Sequence, residues 1–204
     1  GLRPVAAIYS TFLQRSIDQI IHDVALQKLP VIFALDRAGA VPYDGETHQG
    51  FYDISLLRSV PNMIILCPAS AVEMDMMFRW AAASDLATVL RYPKSICPAD
   101  CPAFHAPLEL GRGIVTVQTE KPDILLVCTG GMYQETASAA DILLRRNIFA
   151  DIYNIRFAKP VDESYFLACA QGYRAVLFIE DGAAIGGIAQ YLESILHKHR
   201  LDIK

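Results

Sequence analysis

The 204-residue sequence lacks any apolar run of the roughly 20 residues that cross a bilayer, so no membrane span is expected. It lacks an excess of either charge. With 18 Lys and Arg against 22 Asp and Glu, it carries a net charge of −4 and a pI near 5.7. That balance argues against non-specific nucleic-acid binding and against a basic membrane-facing surface. It has no disulfide framework: the five cysteines, Cys67, Cys97, Cys101, Cys128 and Cys169, are odd in number and scattered. Cys67, Cys128 and Cys169 lie in apolar runs and read as small buried hydrophobes. Cys97 and Cys101 have only His105 near them, too few ligands for a zinc site, and no metal site is assigned. The cysteine usage fits a reducing, cytoplasmic location. A full glycine fingerprint for dinucleotides is missing too. Gly130-Gly131 lies between a strand and a helix, and reads either as a phosphate cradle or as a tight turn.

What is present is a regular alternation of strands and helices. Apolar segments at Pro4–Ser10, Val31–Leu35, Met63–Leu66 and Thr88–Leu90 read as strands. Between them, Leu13, Ile17, Ile20, Ile21 and Val24 mark one face of a helix, Ile54–Val60 suits a short helix, and Ser70–Ala83 suits a longer one. The last opens on Ser70-Ala71-Val72-Glu73, a capping box in which Ser and Glu satisfy free amides reciprocally. Residues 94–107, with Pro98, Pro102 and Pro107, lose all periodicity and read as a linker. The alternation then restarts, with strands at Asp123–Cys128, Ala150–Ile155 and Ala175–Ile179. Helices are expected at Glu135–Arg145, from an Asp162 cap to Gln171, and from Gly186 to His199. The expected fold is α/β with two parallel-sheet domains, 1–93 and 108–204. The abrupt opening, Gly1-Leu2-Arg3-Pro4, suggests a piece of a longer protein.

Chemistry concentrates in one loop. Asp36 to Gly50 follows an apolar strand and holds Asp36, Arg37, Asp44, Glu46 and His48. In open α/β sheets ligands sit outside the carboxyl ends of the strands. That places Arg37, Asp44 and His48 where a substrate would lie, with Tyr9, Phe12, Arg15 and Arg91 at neighbouring strand ends. Glu180-Asp181-Gly182 ends another strand and reads either as a solvated turn or as a polar edge facing the first domain.

Several segments together resemble the 1-deoxy-D-xylulose-5-phosphate synthase family of the transketolase superfamily. They are Ile8-Tyr9-Ser10-Thr11-Phe12-Leu13-Gln14-Arg15, Asp36-Arg37-Ala38-Gly39, Asp44-Gly45 with Thr47-His48-Gln49-Gly50, and Arg91-Tyr92-Pro93. Lys159-Pro160-Val161-Asp162-Glu163 and Glu180 with Gly186-Gly187 add to the likeness. The resemblance implies the pyrimidine-binding and C-terminal domains of a transferase that uses thiamine diphosphate and Mg2+. Such an enzyme joins pyruvate, with loss of CO2, to glyceraldehyde 3-phosphate, and its product feeds isoprenoid, thiamine and pyridoxal synthesis. A cytoplasmic homodimer is implied, with neither nucleic acid nor membrane as partner.

Residue by residue, the resemblance has Arg37 and Arg91 grip the acceptor phosphate through charge-assisted hydrogen bonds, helped by Tyr9 and Arg15. It lays Phe12 against the aminopyrimidine ring. It gives Asp44 and His48 to substrate hydroxyl and carbonyl groups, with His48 relaying a proton. The family's glutamate for the aminopyrimidine and its magnesium-diphosphate motif find no match here, so this chain alone is expected to be inactive and to bind no cofactor tightly.

Overall fold

The computed structural model describes residues 1–200. The first sheet holds β1 (Val5–Tyr9), β2 (Ile32–Asp36), β4 (Ala87–Arg91) and β3 (Met63–Leu66), all parallel and in that spatial order. The second holds β7 (Ala150–Ile155), β6 (Ile124–Thr129) and β9 (Ala175–Ile179), also parallel. These are the α/β elements expected from the apolar runs. Every residue of β3 and of β6 is buried, as strands covered on both faces must be.

Each sheet also takes one antiparallel edge strand, which the apolar pattern does not announce. β5 (Ile114–Val117) pairs with β7. β8 (Phe157–Lys159) leaves β7 and pairs with β3 of the first sheet. The second half of the chain thereby completes the first half's sheet. The core is shared as well: Leu35, Ile65 and Val89 belong to one buried cluster with Val127, Tyr153, Phe166 and Leu192.

The helical stretch after β1 winds unevenly. It starts as a tight 3-10 helix, Ser10–Ser16, passes through one α turn, α1 (Ile17–Gln19), and ends in wide π turns, Ile20–Ala25. The overwound start and underwound end offset one another, so Leu13 and Ile20 both still face the core. A 3-10 run of this length is uncommon, and this one carries Phe12 and Arg15.

Within residues 94–107, Lys94–Cys97 are exposed, and the stretch around Phe104 is packed. Phe104 is fully buried and meets Tyr133 edge to face at 4.8 Å. Buried Arg156 donates to the carbonyls of Phe104, Ala106 and Pro107 at 3.0–3.2 Å. Its other partner is Glu73, in a buried ion pair.

That pair alters the capping box at the start of α3 (Ala71–Ala83). The Ser70 hydroxyl accepts from the Glu73 amide at 3.1 Å, as expected. The Glu73 carboxylate accepts from the Ala69 amide instead of the Ser70 amide, and its other partners are Arg156 and Asn154. Burial raises the Glu73 pKa, against the pull of Arg156. Ser70→Ala removes only the cap. It is expected to cost about 1 kcal/mol, a fall of roughly 2–4 °C in Tm; a Tm unchanged by calorimetry would mean the cap contributes nothing.

The remaining helices are α2 (Asp53–Leu57), α4 (Tyr133–Leu144), α5 (Glu163–Ala170) and α6 (Ile188–Lys198). Asp162 caps α5 as expected, accepting from the Tyr165 amide at 3.0 Å. No helix among the described residues is long and apolar enough to cross a membrane.

Candidate functional site

Parallel strands end on one edge, and here that edge gathers the expected residues. Tyr9 pairs with Asp36 across β1 and β2, and Leu35 with Arg91 across β2 and β4. Tyr9, Arg37 and Arg91 therefore sit at adjacent strand ends. From there the loop to Gly50 folds back on itself. Gly39 and Gly50 exchange two backbone hydrogen bonds of 2.8 Å, closing its neck. The Gln49 side-chain amide zips the inside: its oxygen accepts from the Val41 amide at 2.8 Å, and its nitrogen donates to the Val41, Asp44 and Gly45 carbonyls. Val41 is consequently buried, while Tyr43 at the tip is fully exposed with φ +68°.

Arg37 also has a left-handed backbone, φ +55°, uncommon for a residue with a side chain. Its guanidinium lies 3.8 Å from the Tyr9 ring centroid. It pairs with Asp36, and its Nε is 3.4 Å from an Asp44 oxygen. That last contact supplies charge attraction without hydrogen-bond geometry, which leaves the buried Nε–H with no acceptor. The other Asp44 oxygen accepts from Lys94 at 3.1 Å. The hydrogen bond from Lys94 holds the Asp44 carboxyl below the usual range, with Arg37 adding to the effect. Asp44 thus stays ionised through the neutral range, and its ion pairs weaken only as acid takes the pH below that of ordinary carboxylates.

His48 is half-buried. Its Nδ1 is 3.1 Å from the Thr47 hydroxyl, and its ring meets Phe12 edge-on at 5.3 Å. Tyr9 stacks on Phe12 at 5.5 Å, with Arg15 lying 5.8 Å from the Phe12 ring. Thr11 donates to the Thr47 carbonyl at 3.0 Å, tying the 3-10 stretch to the loop. A cavity of about 630 Å3 opens here, with Phe12, Phe51 and Tyr52 as aromatic walls and Arg15, Thr47 and Gln49 beside them. A second cavity, about 780 Å3, lies on the loop's far flank between Pro42, Lys94, Ser70 and Gly131.

The structure brings Tyr9, Phe12, Arg15, Arg37, Asp44 and His48 together. It removes Arg91 from the group expected to meet a ligand. Arg91 is 1% exposed and each of its three guanidinium nitrogens is engaged: Nε donates to Asp53 at 2.8 Å, Nη1 to the Asp181 carboxylate at 2.8 Å, and Nη2 to the Asp181 carbonyl at 3.1 Å. Burial alone would lower its pKa, but the two carboxylates raise it more, so Arg91 stays charged. The exposed cation at that strand end is Lys94, three residues on, which the loss of periodicity assigns to the linker. Its position directly after Arg91-Tyr92-Pro93 is the signal that could have found it.

Glu180 caps α6, accepting from the Ile188 and Ala189 amides at 3.0 and 2.9 Å. Asp181 faces the first half of the chain. Gly130 is a packing glycine, since a Cβ there would lie 2.2 Å from the Cys67 carbonyl oxygen. A Cβ on Gly131 would come 3.3 Å from the Asp181 carboxylate, a poor neighbour for a phosphate.

Two family models match the chain. Residues 1–99 match the transketolase pyrimidine-binding domain and residues 113–204 the transketolase C-terminal domain. A 1-deoxy-D-xylulose-5-phosphate synthase of Treponema pallidum (strain Nichols) is 58% identical over 97% of this chain, and that of Natranaerobius thermophilus is 41% identical over all of it. The chain spans about a third of the length of these relatives, 31% and 32%. Among solved structures, an inactive beta4 tetramer of a split-gene transketolase superposes with a TM-score of 0.85. It is 28% identical, over 97% of this chain and 64% of its own. A transketolase of Campylobacter jejuni shares the fold, with a TM-score of 0.76 at 15% identity over 95% of this chain and 35% of its own. The chain belongs to the transketolase family, as a pyrimidine-binding domain followed by a C-terminal domain, and its sequence relatives are 1-deoxy-D-xylulose-5-phosphate synthases.

Proposed function

We propose that this chain is the acceptor-binding and pyrimidine-facing part of a 1-deoxy-D-xylulose-5-phosphate synthase, which condenses pyruvate with glyceraldehyde 3-phosphate and releases CO2. The observation that carries the reading is the unpaired, buried Nε–H of Arg37, set between Tyr9 and Asp44 beside Lys94. A guanidinium N–H kept from water without an acceptor is costly, and a phosphate oxygen of the acceptor is a natural partner for it. Arg37 and Lys94 would hold the phosphate dianion, with Arg15 and Tyr9 at its flank.

Two ends of the cofactor fare differently against these residues. The 630 Å3 cavity with Phe12 and Phe51 in its wall suits the flat aminopyrimidine. For the metal-bearing diphosphate, the described residues include no group of three or more His, Cys, Asp or Glu side chains placed to hold a cation. When bound, thiamine diphosphate supplies the electron sink that lets CO2 leave pyruvate. On this reading the chain orients the acceptor: His48, which meets Phe12 edge-on, would give a proton to the acceptor's carbonyl oxygen as the new carbon–carbon bond forms. Asp44, kept ionised by Lys94 and Arg37, would take a hydrogen bond from the acceptor hydroxyl.

In the whole enzyme, Lys94→Ala is expected to raise the KM for glyceraldehyde 3-phosphate about ten- to a hundredfold, the loss of a charged hydrogen bond worth roughly 1.5–3 kcal/mol. The KM for pyruvate, which has no phosphate, should move little. Steady-state kinetics with each substrate varied in turn checks this; unchanged acceptor KM values in both Lys94→Ala and Arg37→Ala would overturn the reading.

A second reading is favoured by one observation, the superposition on a split-gene transketolase over 97% of this chain. On it, this chain is the separate beta-type subunit of a two-gene enzyme and works with a second polypeptide. The intact mass of the native protein separates the two. A single chain about three times as long supports the synthase reading, and a 22.5 kDa chain bound to a second polypeptide supports the split one.

A further inference from the structure

We propose that Asp181, contributed by the C-terminal domain, is a positioning residue that clamps the neck of the Arg37–Gly50 loop. Its three oxygens all have close neighbours. Oδ1 accepts from Arg91 at 2.8 Å and from the Thr129 hydroxyl at 3.1 Å, and its carbonyl accepts from Arg91 at 3.1 Å. Oδ2 lies against Gly39, so close that a Cβ on Gly39 would fall 2.1 Å from it. Gly39 is at φ +76°, so glycine is required there by conformation and by space.

The other side of the neck is held by the same arginine. Arg91 Nε donates to Asp53 Oδ2, which lies 3.0 Å from the Ser10 hydroxyl. Ser10 in turn is 3.4 Å from the Gly50 carbonyl oxygen, and a Cβ on Gly50 would meet the Arg37 carbonyl at 2.2 Å and Ser10 Oγ at 2.7 Å. Gly39 and Gly50 are the two residues whose mutual hydrogen bonds close the loop. The neck is thus gripped between two buried carboxylates joined by one buried arginine. Asp44 and His48 lie inside the closed loop and Arg37 two residues outside it. Asp181 touches none of them, yet fixes the backbone from which they project. The C-terminal domain therefore acts on these residues through the loop's backbone, while its Gly131 and Asp181 also line the cavity beside Lys94.

The kinetic half of the test rests on the function proposed above, whereas amide exchange does not. In Asp181→Asn, the Gly39 and Gly50 amides are expected to exchange at least tenfold faster, with β6 and α4 amides unchanged. Exchange unchanged in the loop, or accelerated equally throughout the chain, overturns the clamp. If Asp181→Asn fails to fold, Thr129→Val frees the same carboxylate oxygen from its smaller contact, and the same two results overturn the proposal. In the whole enzyme, Asp181→Asn should raise the KM for glyceraldehyde 3-phosphate about tenfold and leave that for pyruvate within twofold. Faster loop exchange with an unchanged acceptor KM would support the clamp and overturn the use assigned to the loop.

Discussion

Arg91→Ala is expected to destabilise the protein by about 3–5 kcal/mol, the cost of removing one partner from a buried ion pair, and to lower Tm by roughly 6–20 °C. The reason lies in what remains. Asp53 and Asp181 are 2.8 Å from the guanidinium, and their side chains are 1% and 9% exposed. Without Arg91 both carboxylates stay away from water with their principal donor gone. A surface arginine would cost little. Arg91→Lys should recover part of the loss, since one ammonium cannot span three acceptors that a planar guanidinium reaches from three nitrogens. Because Arg91 joins the two carboxylates that grip the loop's neck, the variant enzyme should show the acceptor KM rise expected of Asp181→Asn together with the fall in Tm. Calorimetry with two-substrate kinetics decides the matter: a selective rise in acceptor KM with Tm unchanged would return Arg91 to the phosphate.

His48→Ala should lower kcat of the whole enzyme by about 100- to 10,000-fold, the range for removing a positioned proton donor, with Tm nearly unchanged. His48 is half-buried, and its named contacts are Thr47 and the edge of Phe12, so little stability depends on it. His48→Asn keeps a hydrogen-bond donor but cannot relay a proton in this pH range, and should be almost as slow as alanine. A kcat within threefold of wild type in both variants would remove His48 from the chemistry.

The parts of this molecule visible in its sequence are those set by short-range patterns. β3 and β6 are continuous apolar runs, Ser70 and Asp162 stand at helix starts, and parallel strands bring Tyr9 and Arg37 to one edge whatever the tertiary details. Longer-range chemistry is not visible there. The partners of Arg91 lie 38 and 90 positions away, and nothing near Arg-Tyr-Pro distinguishes a buried arginine from a ligand-facing one. Glu73 looks like a local cap because its second partner, Arg156, is 83 positions distant. β5 and β8, four and three residues long, are too short to show a period. The proline-rich stretch reads as a tether because its order comes from Phe104 burial and from Arg156, neither of which leaves a repeating pattern.

The strand β8 also sets a timetable for synthesis. Lys159 pairs with Ile65, 94 positions earlier, so at the ribosome's roughly 5–20 residues per second the outer rim of β3 waits some 5–19 s for its neighbour. During that interval β3, four buried apolar residues with unpaired backbone on one side, is a template for stray pairing with other chains. Severing the gene between the domains would make that interval permanent: the first domain made alone would keep an open rim, while the second would carry a three-residue strand with nothing to join.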